Sequence, residues 1–246
     1  GVHLTPEGER LFHHVQAAQA HLEAGERELL SGRMLQHGMI TLGTTETALH
    51  TFLLPVLRRF HQAYPGVRLR ITNHPTPKAL EALREGAVEL AVVSSPEHLG
   101  MLHAQTLVSF SDMVLAGQSF AALSRRPLTL AELVQQPLVC LGQGTQAYDL
   151  YQSFFAARGL LYAPDIQGAT TGQILPLVQN GLGLGFVPER LGRQALEGSD
   201  LVAIRLTEPL PQRTASLVTD PAVPLEYAAK MLYDMLLAAA QGGKQP

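Results

Sequence analysis

The chain has no tryptophan, a single cysteine, and only 16% charged residues among 246, with 18 Lys+Arg set against 21 Asp+Glu. One cysteine excludes an intrachain disulfide and any cysteine-rich metal site, which fits a reducing compartment. A formal charge of -3 gives no basic field that would hold phosphate backbones, so these residues alone are not expected to bind nucleic acid. No apolar run reaches the length of a membrane-spanning helix, and the first residues lack the apolar core of a secretion signal. The expectation is a cytoplasmic protein with no membrane contact. Catalytic signatures are missing as well: there is no GxSxG elbow, no HExxH, and no lysine in the polar loops that follow the strands. No catalytic residue, cofactor or metal is expected, and the chain reads as a non-enzyme.

What is present divides into a helix and two similar α/β halves. "LTPEGERLFHHVQAAQAHLEAGERELL" opens with Thr5 as N-cap, Pro6 in the first helical position and Glu7 in the first turn. Its apolar residues Leu4, Leu11, Val15, Ala18, Leu22 and Leu29 are spaced by 7, 4, 3, 4 and 7, a narrow heptad seam that calls for a partner helix. "SGRMLQHG" then reads as a linker.

From Met39 strand and helix alternate. "MITLG" is followed by polar Thr44-Thr45-Glu46-Thr47, then by an amphipathic helix marked by Leu49, Phe52, Leu53, Val56, Leu57 and Phe60, which Pro55 must kink or restart. "VRLRIT" alternates as a strand, "PKALEALREG" is a short helix stopped by Gly86, and "VELAVV" is a buried strand. The second half repeats this grammar with "LVCLG", Gln143-Gly144-Thr145, a helix carrying Tyr148, Tyr151, Phe154 and Phe155, a stop at Gly159, a strand around Ile166, "TGQILPLVQNG" and "LGLGFV".

Gly181, Gly183 and Gly185 resemble a dinucleotide fingerprint, but that fingerprint needs a strand before the glycines and a helix after them. Here the order is reversed, with Gly181 the stop of a helix and Leu182 to Val187 a buried strand. Lys78 to Gly86 and Gln173 to Gly181 share one eight-residue interval, so the glycines are the helix-to-strand corner of a duplicated unit. The β-rich stretches 106–118 and 200–219 flank the second unit as two crossings, with the last strand and the final helix returning to the first. The expected division is a linker and dimerisation helix at 1–31, a discontinuous first lobe at 38–109 and 212–246, and a second lobe at 110–211.

In open parallel sheets, ligands bind beyond the carboxyl ends of the strands, where helix N-termini converge. In the first lobe that place holds Thr44, Thr45 and Thr47, and in the second Gln143, Gly144 and Thr145. Ser94 and Ser95 after the third strand, and Thr170 and Thr171 before the second short helix of the second lobe, face the same space. Capping explains many hydroxyls at such positions, yet it does not explain why the clusters fall at equivalent places in both lobes. Other polar groups have plainer readings. His13, His14 and His21 lie on a solvated helix face, His103 and Cys140 lie in strands without partner ligands, and Glu46 suits a first helical turn on dipole grounds.

These ordered residues resemble a known family. "GVHLTPEGERL" is similar to the segment after the winged helix-turn-helix of LysR-type transcriptional regulators. "GMITLG", "LLPVLRRFHQAYPGVRLRI", "ALEALREGAVELAVV" and "LVQNGLGLGFVPE" resemble their effector-binding domain, so the likeness covers nearly the whole chain. The resemblance implies an α/β fold of two Rossmann-like lobes with a ligand cleft, like type 2 periplasmic binding proteins, preceded by a long linker helix. It implies a small-molecule inducer, a metabolite, held between Thr44, Thr45, Thr47 and the Gln143–Thr145 loop. It further implies a homodimer or homotetramer that meets DNA only through a missing N-terminal domain. Glu46 within "TTET" departs from what a simple oxyanion site would carry. The rival readings are an enzyme or an uptake solute-binding protein on the same hinged fold.

Overall fold

In the computed structural model the described residues are Thr5, Gly8, Leu11, Phe12, Val15, Gln16, Ala18, Gln19, Leu22 and 38–242. Ten apolar runs become strands: β1 (Gly38–Thr44), β2 (Val67–Asn73), β3 (Leu90–Ser94), β4 (His103–Phe110), β5 (Asp112–Gly117), β6 (Leu138–Leu141), β7 (Ile166–Gly168), β8 (Leu184–Pro188), β9 (Leu201–Ile204) and β10 (Arg213–Thr219). They build two five-stranded sheets in the orders β2-β1-β3-β10-β4 and β7-β6-β8-β5-β9. In each, three strands run parallel and an antiparallel strand that arrives from a crossing, β10 in one sheet and β5 in the other, joins them to the edge strand, β4 or β9. Only Ser111 separates β4 from β5, so the chain changes sheets in a single residue. Strands β3 and β8 are buried along their whole length, as central strands covered on both faces must be.

The helices follow the parallel strands. The first, α1, spans 46–63 and is composite: an α-helical turn Glu46–Ala48, a π-helical turn Leu49–Leu53 and an α-helix Leu54–Ala63. The chemistry of Pro55 accounts for the break. Proline has no N–H for the carbonyl four residues back, which is that of Thr51, and the helix widens there so that Leu54 N–H donates to Leu49 O. Thr51 O instead accepts from Arg190 Nη1 of the other lobe at 3.2 Å. The restart expected from Pro55 is therefore real, and it also makes an interlobe contact.

Helix α2 (Thr76–Arg84) ends before Gly86, whose φ of +70° closes the corner into β3, and α5 (Thr171–Gln179) ends before Gly181 at φ +74° in the same way. Strand β8 begins at Leu184 rather than at Leu182, which is 45% exposed. Gly183, at φ +155°, first carries the chain past Pro137 O, which an added Cβ would meet at 2.5 Å. The remaining α-helices are α3 (Leu130–Leu133), α4 (Gln146–Ala156), α6 (Glu189–Leu196) and α7 (Tyr227–Gly242), and a 3-10 helix, Gln118–Arg125, follows β5. Helix α3 carries a full capping box, Thr129 with Glu132.

Each lobe has a core on both sides of its sheet. In the first, Leu53 and Phe60 of α1 pack with Ile40, Leu42, Leu217 and, from α7, Leu232 and Leu236. Ala79, Leu80 and Leu83 of α2 cover the other face with Val93 and Val218. In the second, α4 buries Tyr148, Tyr151 and Phe155 against Tyr162 and Phe186, while α5 packs Ile174 and Val178 on Leu115, Val139 and Val187.

Near the N-terminus, Gly8, Leu11, Phe12, Val15, Gln16, Ala18, Gln19 and Leu22 are helical, and Thr5 Oγ1 accepts from Gly8 N–H at 3.1 Å as an N-cap does. Leu11, Val15 and Leu22 are 64%, 52% and 73% exposed, so these three seam residues are not covered by the other described residues. Leu4, Pro6, Glu7, His13, His14, His21, Leu29 and residues 31–37 of the linker 31–38 lie outside the described residues, and its last residue, Gly38, already belongs to β1.

Candidate ligand-binding cleft

A cavity of about 150 Å³ lies between the two sheets, at the carboxyl ends of the parallel strands. Strand β1 delivers Thr45, Glu46 and Thr47 to it, the turn after β2 delivers Asn73 to Thr76, β3 delivers Ser94, and β10 begins there with Arg213. Across the cleft come Leu141 from β6, Thr145 to Ala147 at the start of α4, and Ala169 to Thr171 at the start of α5. Four helices, α1, α2, α4 and α5, thus turn their N-termini toward one space. Their free N–H groups and positive dipole ends favour an acceptor there.

The hydroxyls are organised in pairs. Thr45 Oγ1 caps α1 by accepting from Ala48 N–H at 3.2 Å and lies 2.9 Å from Ser94 Oγ. Thr47 Oγ1 lies 2.8 Å from Thr171 Oγ1 of the opposite lobe, a direct bond across the cleft. Each pair shares one hydrogen bond between two O–H groups, which leaves one proton per pair to donate to a bound molecule. Thr145 caps α4 through Tyr148 N–H at 3.2 Å and gives its own proton to Gly142 O at 2.8 Å. Thr76 likewise donates to Ser94 O at 2.9 Å.

Two charged groups stand out by their bonding. Glu46 sits in the first turn of α1 and reaches across to α5, where an added Cβ on Gly172 would lie 2.4 Å from its Oε1. Its Oε1 is 3.8 Å from His50 Nε2, while its buried Oε2 has no partner among the described residues. Arg213 is 4% exposed and donates from Nη1 to Asp112 Oδ2 at 2.8 Å, and Tyr151 OH donates to the same oxygen at 2.7 Å. Arg213 Nε is buried without a partner among the described residues. Burial, the largest single influence, lowers the guanidinium's pKa, but the Asp112 carboxylate together with Tyr151 and Tyr162 more than offsets it and holds the group above its ordinary value. Burial pushes the Tyr151 hydroxyl well above its usual range, helped by Asp112, so it keeps the proton that it donates to Asp112. Burial likewise pushes the Cys140 thiol up to about 12.

Of the residues singled out by the sequence, Thr45, Thr47, Ser94, Thr145, Thr170 and Thr171 line the cavity. Thr44, Ser95, Gln143 and Gly144 are not among its lining residues. Thr44 is fully buried and spends its proton on Val92 O at 2.7 Å. Ser95, at φ +43°, is bonded through its Oγ and its N–H to the backbone of Thr214. Gln143 turns to Tyr148 OH at 3.5 Å and to Gln167, and Gly144 makes the φ +81° turn ahead of the Thr145 cap. Sequence reasoning passed over Asn73, His74, Thr76 and Arg213. The polar "NHPT" directly after "VRLRIT" was a usable signal for the first three. Arg213 had none, because it reaches the cleft only through the return crossing.

A hydroxyl-lined cleft between two such lobes defines a class, the two-lobed small-molecule-binding domain of the periplasmic-binding-protein type. Within that class the chain belongs to the family described as the LysR substrate binding domain, which matches residues 34–241. Among curated proteins it is 24% identical over 191 residues to the HTH-type transcriptional regulator AlsR of Bacillus subtilis, covering 76% of this chain and 63% of that one. It is 28% identical over 225 residues to a probable hydrogen peroxide-inducible genes activator of Mycobacterium avium, covering 88% and 70%. The chain therefore spans about two thirds of the length of these relatives. In fold it resembles the CcmR regulatory domain of Synechocystis PCC6803 in complex with 2-PG, at TM-score 0.74 and 16% identity, covering 83% of this chain and 98% of that one. It also resembles the effector binding domain of QuiR in complex with shikimate, at TM-score 0.73 and 16% identity, covering 84% and 98%. These two relatives are named as a transcriptional regulator and a genes activator, and no helix among the described residues is long and apolar enough to cross a membrane.

Proposed function

We propose that the chain is the sensing and oligomerising part of a cytoplasmic LysR-type transcriptional regulator. It binds a small-molecule inducer between the lobes, through Thr45, Thr47, Ser94, Thr145, Thr170 and Thr171, and it acts by binding rather than by catalysis. The observation that carries this reading is the convergence of four helix N-termini and two shared-hydroxyl pairs on one cavity. A molecule gripped from both sides favours the closed arrangement of the lobes, so its binding free energy biases the assembly as a population shift. The lobes divide at 38–109 with 212–246 and at 110–211, and the helix within 1–31 joins copies into a homodimer or homotetramer. The exposed Leu11, Val15 and Leu22 support that helix pairing. DNA is met through a helix-turn-helix domain outside these residues, in keeping with the net charge of -3.

The test is calorimetric titration of a metabolite panel into the chain and its Thr45→Val variant. A neutral hydrogen bond contributes about 0.5–1.5 kcal/mol, so the ligand that binds should bind Thr45→Val about two- to tenfold more weakly, while loss of the Thr45 cap on α1 lowers stability by about 0.5–2 kcal/mol. Equal affinity for the two proteins would place the site elsewhere. Deleting residues 1–31 should lower the mass seen by light scattering, and an unchanged mass would remove the helix-pairing part.

A further inference from the structure

Among the described residues, three hydrogen bonds made by side chains join the two lobes. One, from Arg213 Nη1 to Asp112 Oδ2, lies where the chain crosses between the sheets, at the beginnings of β5 and β10. The other two both end on the first two turns of α1. Thr47 Oγ1 bonds to Thr171 Oγ1 at the start of α5, and Thr51 O accepts from Arg190 Nη1 of α6. Thr51 Oγ1 donates to Thr47 O at 2.7 Å, so the two ties are braced against each other within one turn. Beside them the Glu46 carboxylate lies so close to Gly172 of α5 that an added Cβ there would collide with Oε1. Helices α2 and α4 also face the cavity, yet their caps and hydroxyls bond within their own lobes.

Two covalent crossings allow one lobe to turn on the other, and noncovalent contacts then decide how far it turns. Here those contacts fall on a segment that the sequence has made unusual. Pro55 has no N–H for Thr51 O, the helix widens into its π turn, and the freed carbonyl is taken by the opposite lobe. Such turns within α-helices recur at functional sites. Gly172, having no side chain, admits Glu46, and Thr47, Thr51 and Thr171 are buried, which shields their bonds from competing water.

We propose that the first two turns of α1 are an interlobe latch, which sets the balance between closed and open arrangements of the lobes through the Thr47–Thr171 and Thr51–Arg190 bonds. Thr47 and Thr171 also line the cavity, so the latch keeps both walls within reach of one bound molecule. A ligand that needs the closed arrangement binds more weakly in proportion as the closed fraction falls, so cutting the latch lowers its apparent affinity. That bearing on affinity rests on the cleft being the effector site; the latch itself does not.

The lone Cys140 is buried, so nitroxide labels attach to added surface cysteines. Lys78→Cys in α2 and Asp149→Cys in α4 place exposed labels in the first turns of helices on opposite sides of the cleft. Pulsed electron–electron resonance then measures their separation in the full chain with no ligand added, and one narrow distribution is expected. Thr171→Val removes one tie and Arg190→Ala the other. Each should lower the closed-to-open ratio by about two- to tenfold, and the double variant by about tenfold or more, as a second population at longer distance. Arg193→Ala, on the same helix as Arg190 but bonded to Glu189 of its own lobe, should leave the distribution unchanged. The two ties reach different helices of the second lobe, so if one variant fails to fold the other decides. A parent distribution already spread to long distances overturns the proposal, as does a double variant that keeps the parent's distribution. Opening by Arg193→Ala to the same extent overturns it too, by showing that any charge lost from α6 parts the lobes. Because no ligand enters this measurement, its failure leaves the effector reading standing, and equal affinities in the Thr45→Val titration would leave the latch standing.

Discussion

The two lobes share one plan and fill it differently. Each has a parallel trio with an antiparallel strand received from the other side, a threonine N-cap after its first parallel strand, and a helix that stops at a left-handed glycine. The caps even match in length, 3.2 Å from Thr45 to Ala48 N–H and 3.2 Å from Thr145 to Tyr148 N–H. Yet the first lobe is filled with aliphatic side chains around Phe60, whereas the second is built on stacked rings, with Phe155 and Tyr162 at 5.4 Å and 4°, and Tyr151 and Phe186 at 4.5 Å and 24°. Repeated caps and corners place helix N-termini at the cleft in both halves. The fillings are free to differ because a core needs volume and apolar surface rather than particular residues. The comparison also isolates what neither lobe owns: the Asp112–Arg213 pair at the two crossings, and the bonds from Thr47 to Thr171 and from Arg190 to Thr51.

The largest effect is expected at the crossing. Asp112→Asn leaves the guanidinium of Arg213 buried without its counter-charge, at 4% and 1% exposure for the two side chains, which costs about 3–5 kcal/mol. Urea unfolding should show it, and a loss below about 1 kcal/mol would mean that the pair is solvated in solution. Next come the corner glycines. Gly86 is at φ +70° with nothing within 4 Å of an added Cβ, so Gly86→Ala costs only the left-handed backbone, about 1–2 kcal/mol. Gly183→Ala adds a clash with the carbonyl of Pro137, about 1–3 kcal/mol beyond that. Equal losses would show that the second corner relaxes as freely as the first.

The contrast between the fillings predicts a smaller difference. Phe155 has ring neighbours in Phe154, Tyr162, Tyr151 and Phe186, while Phe60 has only Tyr64 among the described residues. Phe155→Leu should therefore cost about 1 kcal/mol more than Phe60→Leu; equal costs would show that the rings of the second lobe add nothing beyond area. The smallest effect concerns pH and only the second lobe. With the folded Cys140 thiol pushed up to about 12 and an unfolded thiol near about 8.5, its contribution to stability is whole below the unfolded value and lost as pH rises toward the folded one. Native protein at pH 9 should resist iodoacetamide until unfolded. Rapid alkylation of native protein would show that the thiol is exposed.

Much of this plan was legible in the residue order, because its causes are local. Alternating apolar runs, threonine caps, the break at Pro55 and the glycine stops each act within a few residues, and the eight-residue interval repeated at Gly86 and Gly181 exposed the duplication. The hydroxyls at the carboxyl ends of the strands followed from the same periodicity. Strand β8 starts two residues later than its apolar run, because the approach of Gly183 to Pro137 O is a contact between segments, which periodicity does not carry. Equally invisible were the choice between the hydroxyls that line the cavity and those spent on backbone carbonyls, such as Thr44 on Val92, and the arrival of Arg213 beside Asp112 across 101 positions. By itself, then, the sequence determined the elements, their duplication and the polarity of the loops that meet. Tertiary structure alone decided which polar atoms are left with a hydrogen bond to give, because that depends on partners brought together only when the two sheets close on one another.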